Sequence, residues 1–247
     1  MTRAFSAGNY RYIPAVFQYS SGVAADADFE IERVRFDRWL PLAEGFAAIA
    51  DYIRAAGRPL TSFCACELRS PAVVDESGFR AFNEHYVKTL AEWGIFDGTN
   101  NPVARSNVCL EIDPPSEPSF YAFSFTREAR GAKPSFVIAG GADARGGPGT
   151  YPERIVRYRE TSADAFRDKT RMTLANMEER LAAFGFSWKD TTATQIYTVE
   201  DFHAVVADEL VRRGAARQGM TWHFARPPVV DLVFEMDTRR VMREFVI

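Results

Sequence analysis

Cysteine and histidine are scarce in this chain, with three of each among 247 residues. A small, odd number of cysteines does not indicate a disulfide framework and is typical of a protein from a reducing compartment. Cys64 and Cys66 form a C-x-C pair, but no second ligand pair follows at the spacing of a zinc site, so we expect buried core thiols. No two histidines are spaced H-x-x-x-H. We therefore expect neither a metal nor another cofactor.

An excess of positive charge and long apolar runs are also missing. The formal net charge is −3, whereas nucleic-acid-binding proteins usually carry a basic excess, so we expect no nucleic-acid partner. No apolar run approaches the roughly 20 residues of a membrane helix, and the N-terminus lacks the basic and apolar segments of a secretory signal. No G-x-S-x-G nucleophile elbow occurs. These absences predict a cytoplasmic protein with no membrane partner.

The first half of the sequence predicts a defined order of elements. Apolar residues at helical spacing predict two helices, which stop at Gly57 and Gly94. Strand-like patterns surround them, and the turn Pro114-Pro115 separates the last two strands. The predicted helices are 41–56 and 78–93, and the predicted strands are 16–19, 29–36 (with one slip that suggests a bulge), 60–68, 103–112 and 119–125.

The second half repeats this order. Two predicted helices again stop at glycine, here Gly185 and Gly214, and the turn Pro227-Pro228 again separates the last two strands. The helices are 162–184 and 201–213, and the strands are 135–139, 191–199, 220–225 and 229–237. The glycine-rich segment 140–149 lacks the Gly-Lys-Ser/Thr ending of a phosphate loop and is predicted to be a flexible loop.

Duplication therefore organises the chain, which we predict to be an α+β protein of two tandem repeats. The repeats cover residues 1–130 and 131–247, with the seam near 127–134. The alternative is a single α+β domain with accidental symmetry.

Arg105 is the first candidate site residue. Side chains alternate along a strand, so Arg105, Asn107 and Cys109 face the same way in the predicted strand 103–112. A guanidinium there is able to hold a substrate carboxylate through two parallel hydrogen bonds. The alternative is an edge strand with a solvated arginine.

Three further polar residues are weaker candidates. Glu235 and Asp237 share one face of the strand 229–237, and Glu235 is able either to pair with Arg105 or to transfer protons. An exposed sheet face, with Arg239 as the charge partner, explains them equally well. Asn83 lies on the second helix, where a surface amide is the simpler interpretation.

Several motifs in order resemble the Rid/YjgF (reactive-intermediate deaminase) family. These are Ser21-Gly22, the helix end Ala55-Ala56-Gly57, the helix segment FRAFNEHY at 79–86 and the strand PVARSNV at 102–108, followed by Pro114. The second half adds IYTVEDF at 196–202 and its own Pro-Pro turn. The resemblance implies two tandem copies of a chorismate-mutase-like fold, each a mixed sheet with two helices on one face.

The resemblance also implies roles for residues. Arg105 matches the family's carboxylate-binding arginine, Asn83 its asparagine and Gly22 its backbone contact. The family's water-orienting glutamate is matched only by Glu235 in the second half, so we expect a composite pocket with parts from both repeats. The cysteine commonly found two residues after the arginine is Asn107 here, and Cys109 lies one strand step further, which argues against a direct thiol role. We expect Asn83, Gly22, Asn107 and Cys109 to bind the substrate.

The implied function is cofactor-free hydrolytic deamination of a small enamine or imine carboxylic acid of the aminomuconate type. One alternative is a chorismatase-like hydrolase or lyase, because such enzymes resemble paired copies of this fold. Another is a small-ligand-binding protein without turnover. Family sites lie between the subunits of a trimer, so we expect a homotrimer, with a dimer as the alternative.

Overall fold

The computed structural model describes residues 1–247 and contains two mixed β-sheets, each with helices on one face. The strands are β1 (Arg3–Phe5), β2 (Tyr10–Ile13), β3 (Gly22–Ala25), β4 (Phe29–Pro41), β5 (Phe63–Ser70), β6 (Ala104–Leu110), β7 (Ser119–Glu128), β8 (Phe136–Ala142), β9 (Ala193–Tyr197), β10 (Thr221–His223), β11 (Ala225–Arg226), β12 (Glu235–Arg240) and β13 (Arg243–Val246). The helices are α1 (Leu42–Ala55), α2 (Glu76–Glu92), α3 (Tyr151–Arg154), α4 (Ala163–Ala183) and α5 (His203–Val205), and α5 continues as a π-helical segment, Val206–Val211.

The six-stranded sheet has the order β11-β6-β5-β7-β4-β13. Helices α1 and α2 cover it because their apolar faces pack on the phenylalanines of β7, including Phe120 and Phe123. Each such ring contributes roughly 1.5–3 kcal/mol by leaving water. Gly45 of α1 lies against the Phe120 ring with no space for a Cβ atom, so this glycine permits the close approach of helix and sheet.

The seven-stranded sheet has the order β1-β2-β3-β8-β12-β9-β10. Helix α4 begins at Ser162, whose side chain accepts a hydrogen bond from the Ala165 amide, and it packs on the sheet through Leu174, Met177 and Leu181. The two apolar clusters under the two sets of helices are separate. This arrangement is the predicted α+β fold of two tandem repeats.

Each sheet also takes strands from the far end of the chain. β1, β2 and β3 join the sheet formed by the second half, and β13 pairs in parallel with β4 of the first half. β7 and β8, which flank residue 130, lie in different sheets. The boundary at residue 130 stays a prediction.

Several predicted elements differ in the structure. Residues 140–142 of the predicted loop belong to β8, Leu60–Ser62 of the predicted strand 60–68 form a 3-10 turn, and the predicted strand 220–225 is divided into β10 and β11. Residues 16–19 form a turn closed by a single Val16–Tyr19 bridge, because this segment leaves the sheet between β2 and β3. The predicted helix 201–213 consists of one short turn and the π-helical segment. The predicted strand 229–237 begins only at Glu235, because Val229 and Leu232 pack in an apolar cluster beside Phe79 instead.

The sheets face each other where β6 lies opposite β8 and β12. The Ser106 hydroxyl on β6 donates a hydrogen bond to the Asp237 carboxylate on β12, with 2.6 Å between the oxygens. Polar side chains of the two halves therefore meet inside the molecule. No helix in the chain has the length and hydropathy needed to cross a bilayer.

Candidate active site

A cavity of about 520 Å3 lies at one end of the contact between the sheets. Its wall comes from β6, β8 and β12, from the turn after β2, from α4 and from the glycine-rich segment after β8. Ligand sites are commonly concave spaces of about 300–1,000 Å3 with a few convergent polar groups. Four arginines line this cavity and only two glutamates: Arg105, Arg145, Arg154, Arg180, Glu179 and Glu235. The cavity is therefore positive although the whole chain is negative.

Arg105 supplies a buried guanidinium to this wall. Its Nη2 donates to the Asn83 side-chain oxygen at 2.6 Å, and its Nη1 is buried without a partner. Aromatic rings surround it, with the Tyr86 ring centre at 4.7 Å and the Tyr19 ring centre at 5.2 Å from the guanidinium carbon. No carboxylate pairs with it. A buried cation with an unused donor at a cavity wall is chemically suited to accept an anionic partner.

Asn83 accepts a hydrogen bond from Arg105 and lies outside the cavity wall. Its side-chain amide donates to the Phe79 carbonyl at 2.6 Å, which fixes the amide so that its oxygen points at Arg105. Asn83 is fully buried and does not line the cavity. The structure therefore places it as a residue that positions the guanidinium.

Glu235 lies in the same cavity wall as Arg105, at the first position of β12. Its carboxyl rests on Gly140 of β8, where a Cβ atom would overlap a carboxyl oxygen. Burial raises the pKa of Glu235 to about 8, helped by the charge of Asp237 and opposed by the charges of Arg180 and Arg105. Glu235 is thus a proton donor at neutral pH and becomes a carboxylate just above it.

The other predicted residues lie at different distances from the cavity. Asn107 lines it and accepts a hydrogen bond from Ser70. Ser21 lines it, whereas its neighbour Gly22 packs against Ile138 outside the wall. Cys109 is buried beyond Asn107 and outside the wall, and burial raises its pKa to about 12, so the thiol is not a nucleophile.

Three residues of the cavity were not singled out from the sequence. Arg180 lies between Met177 and Leu181 on the inward face of α4, and its Nη1 donates to the Ala139 carbonyl at 2.9 Å. This helical spacing in the sequence indicates that Arg180 faces the same way as the apolar residues of the helix. Tyr19 lies in an irregular turn, and Arg154 in the segment after the glycines, where no periodicity reports which side chains point inward.

A second group of buried charges, the closed cluster, lies on β4, β5, β9 and β12, and shares only β12 with the cavity wall. It comprises Arg33, Glu67, Gln195, Tyr197, Asp237 and Arg239. Arg33 binds both oxygens of Glu67, at 2.6 and 3.0 Å, and this pairing holds the pKa of Glu67 well below its usual range despite burial. Asp237 accepts hydrogen bonds from Gln195 and from Tyr197 at 2.8 Å. Each of these charges has an ion-pair or hydrogen-bond partner, which for Arg239 is Glu244, although the Nη1 of Arg239 is buried without one.

Only a very small cavity, of about 10 Å3, lies beside the closed cluster, which is room for one water. Asp237, predicted as a candidate beside Glu235, faces this space and not the large cavity. The two acids share one strand face but lie in different surroundings. Nowhere in the chain do three or more His, Cys, Asp or Glu side chains converge as metal ligands do.

Known proteins resemble this chain over nearly its whole length. A family model described as 2-aminomuconate deaminase CnbZ matches residues 2–245. The 2-amino-5-chloromuconate deaminase of Comamonas testosteroni is 51% identical over 245 residues, which is 98% of each chain. The prediction of a Rid/YjgF-type deaminase family is thereby confirmed.

Solved structures are more distant. A chorismatase structure matches 90% of this chain and 77% of its own, with 14% identity and a TM-score of 0.50, and so shares the fold. The Escherichia coli YjgF structure covers 44% of this chain and 81% of its own, with 19% identity and a TM-score of 0.32. By the full-length family match and the identity to its curated relative, the chain belongs to the 2-aminomuconate deaminase CnbZ family.

Proposed function

We propose that this protein hydrolyses the enamine or imine form of an aminomuconate-like acid to a keto acid and ammonia. The family and the 51%-identical deaminase support the reaction class. The structural observation that carries the proposal is that two groups line the same cavity. These groups are the unpaired guanidinium of Arg105 and the Glu235 carboxyl, whose pKa burial raises to about 8.

Arg105 binds the substrate carboxylate next to the carbon that carries nitrogen. Its Nη1 is buried without a partner, and Asn83 holds its Nη2, so the guanidinium is oriented before the substrate arrives. Orientation in advance lowers the entropic cost of binding and fixes the reacting carbon relative to Glu235. The positive charge also draws electron density from that carbon and makes it more electrophilic.

Glu235 is the group that donates and accepts the protons in the reaction that follows. As a neutral acid it protonates the enamine at carbon, which gives the iminium ion and leaves Glu235 as a carboxylate. The carboxylate orients a water molecule, which adds to the iminium carbon as its proton passes to Glu235. That proton moves to nitrogen and the C–N bond breaks. The remaining hydroxyl proton passes to the Glu235 carboxylate, which leaves ammonia, the keto acid and Glu235 in its starting acid form.

Both repeats contribute to this site from a single chain. Arg105 comes from the first half and Glu235 from the second, and both line one cavity. We propose a cytoplasmic homotrimer as the working assembly, as family resemblance suggests, with a dimer as the alternative. Light scattering on the purified protein determines the mass of the assembly.

Ammonia release is the test of the proposed function. The wild type and Arg105→Ala are compared on 2-aminomuconate and on smaller enamine acids generated in place by an amino-acid oxidase. We expect release above the buffer rate, and a loss of roughly a hundredfold or more in kcat/KM for Arg105→Ala, because a buried charge contact is removed. Arg80→Ala is the control, since Arg80 pairs with Glu84 on the exposed side of α2.

Three outcomes separate the alternatives. Ammonia release that Arg80→Ala keeps and Arg105→Ala loses supports the deaminase. Binding of the acids without turnover supports a ligand-binding protein. Turnover of chorismate without ammonia release supports the chorismatase-like hydrolase or lyase and overturns the proposal.

A further inference from the structure

The cavity holds more unpaired positive charge than one carboxylate requires. Among the ion pairs of the chain, none includes Arg105, Arg145, Arg154 or Arg180, whereas neighbouring Arg157 and Arg159 each pair with a carboxylate. Fully buried arginines are ordinarily paired, and Arg105 is buried without an ion pair. Arginines that gather without partners in one cavity indicate a ligand with more than one negative charge.

Arg180 already donates hydrogen bonds to the backbone next to Glu235. Its Nη1 donates to the carbonyls of Ala139 and Gly140, at 2.9 and 3.3 Å, and Gly140 is the residue on which the Glu235 carboxyl rests. Arg180 is therefore tied to β8 beside Glu235. Its charge acts on Glu235, as shown by its opposition to the raised pKa of that carboxyl.

Arg154 makes fewer polar contacts than Arg180, the other half-buried arginine of the cavity. It lies at the end of α3, its Nε is buried without a partner, and its guanidinium carbon stacks 4.5 Å from the Tyr151 ring centre. Arg145 is exposed to solvent, so it is the weaker candidate for holding a second charge in the cavity. Arg154 thus offers free donors on a wall that the proposed chemistry does not use.

The segment that carries Arg154 is held in place. Asp143 at its start forms a fully buried ion pair with Lys169 at 2.9 Å and accepts hydrogen bonds from the amides of Val233 and Phe234. The Arg145 amide donates to the Arg154 carbonyl at 2.9 Å. The backbone at Arg154 is thereby held in place before ligand binds, which favours a specific contact.

Tyr19 lines the cavity together with Arg105, Arg154 and Arg180. Burial raises the pKa of its hydroxyl, and the charges of these three arginines oppose the rise. The Tyr19 ring also lies 5.2 Å from the Arg105 guanidinium carbon. A flat, conjugated ligand in contact with Tyr19 is thus close to both Arg105 and Arg154.

We propose that Arg154 binds the second carboxylate of a dicarboxylate enamine, and so makes the enzyme select diacids over monoacids. This inference rests on the proposed function for the identity of the first carboxylate and its partner Arg105. A conjugated six-carbon diacid holds its carboxylates at opposite ends of a rigid plane, which suits two guanidinium groups on separate walls. A monoacid of the same length leaves Arg154 without a partner.

Binding of two inert ligands tests the inference independently of turnover. Muconate and sorbate share a six-carbon diene and differ by one carboxylate. We expect the wild type to bind muconate about tenfold or more tightly than sorbate, as expected for one additional charge-assisted contact. Calorimetric titration of the full chain measures both affinities.

Substitutions test whether Arg154 causes the preference for muconate over sorbate. In Arg154→Ala we expect the muconate preference to shrink to about twofold, with sorbate binding unchanged. Arg154→Lys should restore part of the preference, because the charge remains without the fork geometry. Arg105→Ala should weaken both ligands. Arg159→Ala is the matched control, since Arg159 lies on the same segment but pairs with Asp231 outside the cavity.

Two results overturn the inference. One is equal binding of muconate and sorbate by the wild type. The other is an Arg154→Ala variant that is folded by circular dichroism and keeps the full preference. Suppose that no ammonia is released but the preference for muconate depends on Arg154. The second carboxylate site is then supported, and the proposed catalysis is wrong. If ammonia is released from diacids and monoacids alike, the catalysis stands and the selectivity falls.

Discussion

Two groups of buried charges lie between the sheets, and they differ in how the charges are matched. In the closed cluster, Arg33 is paired with Glu67, and Asp237 has three hydrogen-bond donors. In the cavity, Arg105 has an unpartnered Nη1 and Glu235 has no ion pair. Strand β12 carries one acid of each group, Glu235 in the cavity and Asp237 in the closed cluster. Matched charges fill space and hold the sheets together, whereas unmatched charges beside an open cavity are available for a ligand.

The closed cluster should give the largest change in stability. Glu67→Ala leaves the buried guanidinium of Arg33 without its main partner, and we expect the free energy of unfolding to fall by about 3–5 kcal/mol. Urea unfolding followed by circular dichroism measures the change. Glu84→Ala, which removes an exposed ion pair with Arg80, is the control and should have little effect. An equal effect of the two variants would contradict the structural role of the closed cluster.

Glu235 should make the stability of the protein fall as the pH rises. Its folded-state pKa of about 8 exceeds the ordinary 4.5, so the native protein binds more protons than the unfolded chain in this range. Stability that comes from this carboxyl is therefore lost as pH rises through about 8. Glu235→Gln keeps the neutral form, so it should gain on the wild type by at most about 1.4 kcal/mol per pH unit. Unfolding measured from mildly acidic to mildly alkaline pH reveals the difference, and parallel curves would rule out a raised pKa.

Arg105 should be dispensable for folding. Replacement of an unpaired buried guanidinium by an apolar side chain of similar length removes a desolvation cost, so Arg105→Met should leave stability unchanged or raise it by about 1 kcal/mol. Activity should be lost in the same protein. Thermal unfolding and ammonia release, measured on one preparation, test both parts. A strongly destabilised Arg105→Met would show that Arg105 belongs with the structural charges.

Asn83 should give the smallest effect. Asn83→Asp places a carboxylate against Arg105 and converts an open cation into a matched pair. We expect KM to rise about tenfold, while Asn83→Ala raises it less because the guanidinium stays free. Steady-state kinetics separate KM from kcat. If Asn83→Asp and Asn83→Ala raise KM equally, Asn83 acts only by filling space.

The sequence predicted the parts of the fold that local patterns determine. The glycine-stopped helices α1, α2 and α4 and the strand face shared by Arg105 and Asn107 follow from periodicity. The pairing of β3 with β8 and of β13 with β4 does not, because these contacts join distant parts of the chain. The helix predicted at 201–213 contains a π-helical segment, and apolar spacing does not report that change of winding.

The candidate site was predictable only in part, for similar reasons. Arg105 and Glu235 stand out because charged residues are unusual on the inner face of a strand. Arg154 and Tyr19 lie in irregular segments, where direction is set by tertiary contacts such as the buried pair of Asp143 with Lys169. The different surroundings of Glu235 and Asp237 also arise from packing, since the two acids look equivalent in the sequence.

Ammonia release by Glu235→Gln tests the central claim most directly, because this substitution removes the titrating proton and changes little else. With 2-aminomuconate as substrate, we expect the wild-type kcat/KM to fall as pH rises through about 8, where the acid form of Glu235 is lost. The variant should be slower by about 10²–10⁴-fold and should lack this pH dependence. A Glu235→Gln variant that keeps the wild-type rate and pH profile would contradict the assignment of Glu235 as the proton-transfer group.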